Sequence, residues 1–360
     1  MKRRTWAIAG ILLASALGLT ACSTTSPAAG GDDKGTTIAF LMPCSTCADR
    51  FESKDKPYFE EAVKKLDPSA KVIANNAQGS AKTQLQQAEA ALTNGAKVIV
   101  VSPFTAQAGA SIVAKAKAAG AKVIAYDGGI DGAIPDAYVS FQNEKVGELQ
   151  GQYLLDTLKP GSTVAMINGD ITSAPGQAFK AGAHKILDPA FKDGRLKLGY
   201  ESDTAGFDPA TGQRSMEQGL TAMGDKVDGV IAPNDGLANA VITALTARGL
   251  NGKVLVTGQD ATDPGLTSII VGDQSMTVYK SIRDEATAAA KLAVALAQGD
   301  KAEVKKLAPT TSKNDTGSFP SLLLDPVAVT KDNIKDTVIK DGFTTKAKIC
   351  VGAAAAVCPV

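Results

Sequence analysis

The chain is poor in the residues that usually carry chemistry. Its 360 residues include one histidine, His184, one tryptophan, Trp6, and five cysteines, with aromatics at 5%. A single histidine and no second C-x-x-C leave no metal-ligand set of ordinary spacing, so neither a metal nor another cofactor is expected. His184, in the helical run GQAFKAGAHKIL, reads as structural. There is no G-x-S-x-G elbow, no P-loop and no G-x-G-x-x-G opening a helix early in the chain, so nothing points to an enzyme. The formal charge of +1 includes Lys2, Arg3 and Arg4, and the rest is slightly acidic. That balance does not call for nucleic acid, and no N-terminal pair of DNA-binding helices is present.

What is present begins with export. Lys2, Arg3 and Arg4 precede a mostly apolar run over 6–18 that is too short to span a membrane, then Leu19-Thr20-Ala21-Cys22. This order is that of a secretory signal, and its ending resembles a bacterial lipobox with Cys22 as the lipidated residue. The expectation is a signal over 1–21 and an extracytoplasmic protein held to the cell membrane by lipid alone. Residues 22–35 continue as a flexible Gly/Ser/Pro-rich tether. The remaining cysteines, Cys44, Cys47, Cys350 and Cys358, are even in number and suit an oxidising compartment. Local bridges Cys44–Cys47 and Cys350–Cys358 are favoured over long-range pairing, with a redox or metal pair at Cys44 and Cys47 as the alternative.

The phrase Ala-Lys-Val-Ile stands at 70–73, 96–99 and 121–124. Helical patterns fill the gaps at 80–93 and 106–119, closed by Gly95 and Gly120. Each repeat is a strand-plus-helix unit of a parallel sheet, and 37–42 (TIAFLM) supplies a first strand. A second series follows, with strands at 162–167, 195–200, 227–232 and 253–257 and helices at 143–158, 176–187, 210–222 and 236–248. A strand at 275–279, a helix at 281–298 and a last strand at 322–329 complete it. Length and composition allow about two domains, and the two series predict an α/β protein of two doubly wound, Rossmann-like lobes.

Parallel sheets bind ligands at the carboxyl ends of their strands. In this chain those ends are AYDGG (125–129), APND (232–235), TGQD (257–260) and VYK (278–280). They bring Asp127, Asn234, Asp235, Asp260 and Lys280 towards a shared cleft. Any one of these residues alone is explained by a turn or helix cap. Together, carboxylates, amides and a few cations suit a neutral polyhydroxylated molecule, with Phe51, Phe207 or Tyr126 available for the apolar face of a sugar ring.

The stretches AYDGGIDGAIPDAYVSFQNEKVGELQG (125–151), APNDGLANAVITAL (232–245), GLNGKVLVTGQDA (249–261), MTVYKSI (276–282) and DNIKDTVIKDGF (332–343) resemble the xylose-binding branch of the type I periplasmic binding proteins of ABC sugar importers. The resemblance covers nearly all of the chain after the tether. It implies two lobes joined by three crossovers, closing like a hinge on an aldose. Expected boundaries are 36–141 plus 281–321 for the N-terminal lobe, 142–280 plus 322–346 for the C-terminal lobe, and 347–360 for a tail.

Carried over residue by residue, the resemblance implies a sugar site of Arg50, Phe51, Asp127, Phe207, Asn234, Asp260 and Lys280. Phe207 matches by position and aromatic class only. Two departures stand out: the family's arginine after Tyr-Asp is Gly128, and its Asp-Asn-Asn segment is replaced by Thr172-Ser173-Ala174-Pro175. A hexose, another pentose or a cyclitol therefore stands beside xylose as ligand. The implied partners are a monosaccharide and an ABC permease with its ATPase, for a monomeric binding protein. A sugar sensor that presents its ligand to a receptor would use the same pocket.

Overall fold

The computed structural model describes residues 35–45 and 50–359. The expected signal, Cys22 and nearly all of the tether lie outside them, as does Cys47. In chain order the first elements are β1 (Thr37–Met42), α1 (Lys56–Leu66), β2 (Lys71–Asn76), α2 (Ala81–Thr93), β3 (Ala96–Val101), α3 (Ala106–Ala118), β4 (Lys122–Tyr126) and β5 (Ala137–Phe141). There follow α4 (Asn143–Thr157), β6 (Ser162–Asn168), α5 (Ala174–Lys192), β7 (Leu196–Asp203), α6 (Pro209–Met223), β8 (Gly229–Ile231), α7 (Asp235–Thr246), β9 (Leu255–Val256), α8 (Asp263–Val271) and β10 (Thr277–Tyr279). The last are α9 (Ile282–Gln298), α10 (Lys301–Leu307), β11 (Thr310–Lys313), β12 (Ser318–Leu324) and β13 (Val327–Val329).

The Ala-Lys-Val-Ile phrases become β2, β3 and β4, whose β-branched residues fill a sheet covered on both faces. The helices between them start on side-chain caps: Ser80 Oγ accepts from Thr83 N at 3.1 Å, and Thr105 Oγ1 accepts from Ala108 N at 3.2 Å. Both helices stop at glycines with φ of +81° (Gly95) and +72° (Gly120), a conformation costly for other residues.

The first lobe is a sheet of order β11-β12-β5-β4-β3-β1-β2, parallel except for the edge strand β11. α1 and α9 cover one face, and α2 and α3 the other. The second lobe is a parallel sheet of order β7-β6-β8-β9, with α6 and α7 on one face and α4 and α5 on the other. There α4 and α5 meet backbone to backbone. A Cβ on Gly147 would fall 1.9 Å from the Phe179 carbonyl oxygen, which leaves room for glycine alone.

The chain passes between the lobes after β5, after β10 and after β12. The strand expected at 322–329 is in fact two strands. Residues up to Leu324 pair with β5 in the first sheet, whereas β13 pairs antiparallel with β10. Asp325 and Pro326 separate them, because proline has no N–H to donate to a ladder. Residues 322–324 therefore belong with the first lobe, not the second. Cys350 and Cys358 form a disulfide with Cα atoms 5.7 Å apart, and Cys44 is also disulfide-bonded.

Candidate functional site

Past β1 the chain makes one helical turn, Phe51–Asp55, and Arg50 opens it. Its guanidinium meets three carboxylates. Nε and Nη2 donate to Asp55 at 3.0 and 2.7 Å, Nη2 donates to Glu285 at 2.7 Å, and Nη1 donates to Asp127 at 3.3 Å. Asp55 and Glu285 are fully buried, and Asp55 also accepts the Tyr126 hydroxyl at 2.5 Å. Burial works against the Arg50 charge, but Asp55, Asp127 and Glu285 outweigh it and hold its pKa well above the usual value. The Glu285 carboxyl is pushed up by burial, which Arg50 only partly opposes. Its Oε1 has no hydrogen-bond partner among the described residues.

Asp127 ends β4 in the left-handed region, at φ +59°. β5 holds it there. Its N–H donates to the Val139 carbonyl at 2.9 Å, and its own carbonyl accepts from Tyr138 Oη at 3.0 Å and Ser140 Oγ at 2.8 Å.

The second lobe supplies the facing groups. Asn234 caps α7, its Oδ1 accepting from Leu237 N at 2.9 Å, so the side-chain amide nitrogen remains as a donor. Asp260, half-buried at φ +101°, accepts from the Gln259 side chain, and burial raises its pKa against the pull of Lys280. Lys280 follows β10 and is 6% exposed. Its Nζ donates to Asn143 Oδ1 at 2.9 Å and lies 4.9 Å from the ring of Phe179 and 5.5 Å from that of Phe141. Burial lowers its pKa, and Asp127 and Asp260 oppose the shift.

A cavity of about 630 Å³ opens between the lobes, bordered by Arg50, Asn234, Asp260 and Lys280. Asp127 does not border it but is bonded to Arg50, which does. The expected stacking rings do not border this cavity. Phe51 is 4% exposed and packs into the first-lobe core beneath Arg50, 5.3 Å from the guanidinium carbon. Phe207 is half-buried on the second-lobe core, against Gly169. Phe343 borders the cavity instead.

Asp235, also at a strand end, is a scaffold residue. It is fully buried and accepts from Gln274 Nε2 and Thr277 Oγ1, both at 2.8 Å, and from Thr262 N at 2.8 Å. Burial pushes its pKa up to about 7. His184 lies between Asp188 and Glu201 on the second lobe, outside the cavity. No group of residues able to hold a metal occurs among the described residues.

Two lobes that meet over a polar cavity make a protein that captures a solute by closing on it. The chain belongs to the periplasmic binding protein family: residues 38–301 match its periplasmic binding protein domain. It is a binding protein and not an enzyme. It is 40% identical over 296 residues to the D-xylose-binding periplasmic protein of Escherichia coli K12, covering 82% of this chain and 88% of that one. Over 296 residues it is 38% identical to the D-xylose-binding periplasmic protein of Haemophilus influenzae, at 82% and 87% coverage. Among solved structures, a carbohydrate-transporter solute-binding protein from Chloroflexus aurantiacus in complex with D-glucose superposes with a TM-score of 0.76 at 30% identity. It covers 87% of this chain and 97% of that one.

Proposed function

We propose that this chain is an extracytoplasmic solute-binding lipoprotein of an ABC importer, which binds a monosaccharide between its lobes and delivers it to the permease. The observation that carries this reading is the convergence of Arg50, Asn234, Asp260 and Lys280 on one interlobe cavity, with Asp127 bonded to Arg50. Carboxylates accept from adjacent hydroxyls, and the cations and the Asn234 amide donate to ring and hydroxyl oxygens. A neutral sugar offers both partners to every group. Phe51 and Phe207 remain the aromatic residues proposed for its apolar faces, which they meet only if their rings turn out of the lobe cores.

D-xylose is the first ligand to try, because two relatives of about 40% identity are named for it. D-glucose is the second, because the Chloroflexus aurantiacus protein holds it and Gly128 leaves space where the family has arginine. The lipid anchor at Cys22 is supported by the Leu-Thr-Ala-Cys ending of the export signal. A chain lacking residues 1–34 should melt higher with its ligand, by roughly 4 kcal/mol of stabilisation at a thousand times the Kd. Dye-reported melting against pentoses, hexoses and cyclitols tests this, since Trp6 is the only tryptophan and leaves with the signal. No shift with any monosaccharide would overturn the sugar assignment. Membrane release of a Cys22→Ser variant tests the anchor.

A further inference from the structure

The interlobe cavity is bordered by more than the expected sugar groups: Lys54 from the first lobe and Asp263, Phe343 and Lys348 from the second also line it. Polar side chains around an aromatic ring have the composition of a second sugar subsite, but their hydrogen bonding is of another kind. Asp263 accepts from the Thr344 hydroxyl and faces Lys348 at 4.0 Å. Thr262 Oγ1 is engaged with Gly265 N at 3.1 Å and with Asp235 at 3.1 Å. Groups satisfied by one another form a wall rather than a vacant subsite.

One contact in that wall spans the lobes. Lys54 lies in the helical turn after β1, which packs on α9 in the first-lobe core. Its Nζ donates to the Phe343 carbonyl oxygen at 2.7 Å and stands 5.0 Å from the centre of the Phe343 ring. Phe343 in turn packs on Tyr279, with ring centroids 5.0 Å apart, and both join the second-lobe cluster that the C-terminal tail completes through Ile349 and Ala354. Tyr279 immediately precedes Lys280. The contact therefore links the loop bearing Arg50 to the crossover bearing Lys280.

We propose that Lys54 and Phe343 form a clasp between the lobes, which governs how long a bound sugar is retained rather than which sugar is chosen. The proposal rests on the monosaccharide-binding reading above. A contact that exists only while the lobes are together stabilises the closed state alone, and it must break before the ligand leaves. The ammonium contributes a charge-assisted hydrogen bond and a cation–π contact, of which only the second needs the aromatic ring.

The test uses the full chain purified in detergent, with radiolabelled D-xylose and D-glucose chased by unlabelled sugar. Lys54→Met should speed release by about tenfold, and Phe343→Leu, which keeps the carbonyl acceptor, by a smaller factor. Affinities for all bound sugars should fall by the same ratio. Small-angle scattering should also show the ligand-free Lys54→Met protein more extended than the parent. A change in the ratio of sugar affinities, or a lower melting temperature with unchanged release, would overturn the clasp. If neither sugar binds the parent, the choice of ligand fails separately. Scattering then decides the clasp, and an unaltered profile in the variant refutes it.

Discussion

Lys280 Nζ donates to Asn143 Oδ1 across 2.9 Å, and so ties the second crossover between the lobes to the first. The ammonium also lies near the rings of Phe141 and Phe179, one at the end of the first lobe and the other on α5 of the second. A nearly buried lysine is costly unless its charge has a use. Lys280→Met keeps the stem and removes the charge. Sugar affinity should fall by roughly 10- to 100-fold, as for loss of a charge-assisted bond, with a much smaller change in melting temperature. Calorimetric titration beside a melting curve separates the two effects.

Arg50 should be less replaceable. Two of its nitrogens bond Asp55 together while the same guanidinium also reaches Glu285 and Asp127, and a lysine ammonium cannot reproduce that fork. Arg50→Ala leaves buried acids without their cation and should destabilise the fold by about 3–5 kcal/mol. Arg50→Lys should fall between parent and alanine in urea unfolding and should bind sugar poorly.

Asp127→Ala and Asp260→Ala should each weaken sugar binding by about 1.5–3 kcal/mol, the range for hydrogen bonds to charged groups. The two acids approach from opposite lobes. Binding by either variant as tight as the parent's, read by calorimetry, would show that the sugar lies elsewhere.

Gly128 is the place to alter selectivity. It is not among the positive-φ glycines, and a Cβ there would meet Pro103 Cδ at 3.3 Å, so a side chain requires Pro103 to move by a few tenths of an ångström. Gly128→Arg restores the family's donor and fills the space beside Asp127. The affinity ratio of D-xylose to D-glucose should rise in the variant, measured by competition.

Stability should fall as the pH rises. Asp235 titrates near 7 in the folded protein and near 4 in an unfolded chain, so between those values the fold retains a proton that the unfolded chain has lost. Each pH unit in that window costs up to about 1.4 kcal/mol, and the cost levels off above pH 7. Glu285 and Asp260 are shifted in the same direction and add to the slope. Melting temperatures from pH 4.5 to 7.5 should decline less steeply in Asp235→Asn than in the parent.

The lobes were legible because their signals are local. The repeated Ala-Lys-Val-Ile phrase, the alternating helical runs and the glycine stops all act within about 25 residues. β5 carries no such signal, because AYVSF follows a glycine-rich turn and lacks the phrase, although it lies between β4 and β12 and holds Asp127. Pro326 is the local mark of the division within 322–329. Two of the acids around Arg50 have no local signal. Asp55 and Glu285 lie in helical, charged stretches where an acid is ordinary, and Glu285 is 235 residues from the arginine it bonds. Distance in sequence also hid Phe343, which meets Lys54 only because the chain returns to the cavity at its end.

Tyr138 and Ser140 both donate to the Asp127 carbonyl, and their own strand fixes them in place. The backbone freedom of that acid is thus lost when β5 docks, before any ligand arrives. A sugar that meets a carboxylate already aimed gives up its own motion and little of the protein's. Loosening the turn, as Ser140→Ala would, should move that entropic cost from folding to binding, leaving the contacts of the complex as they were.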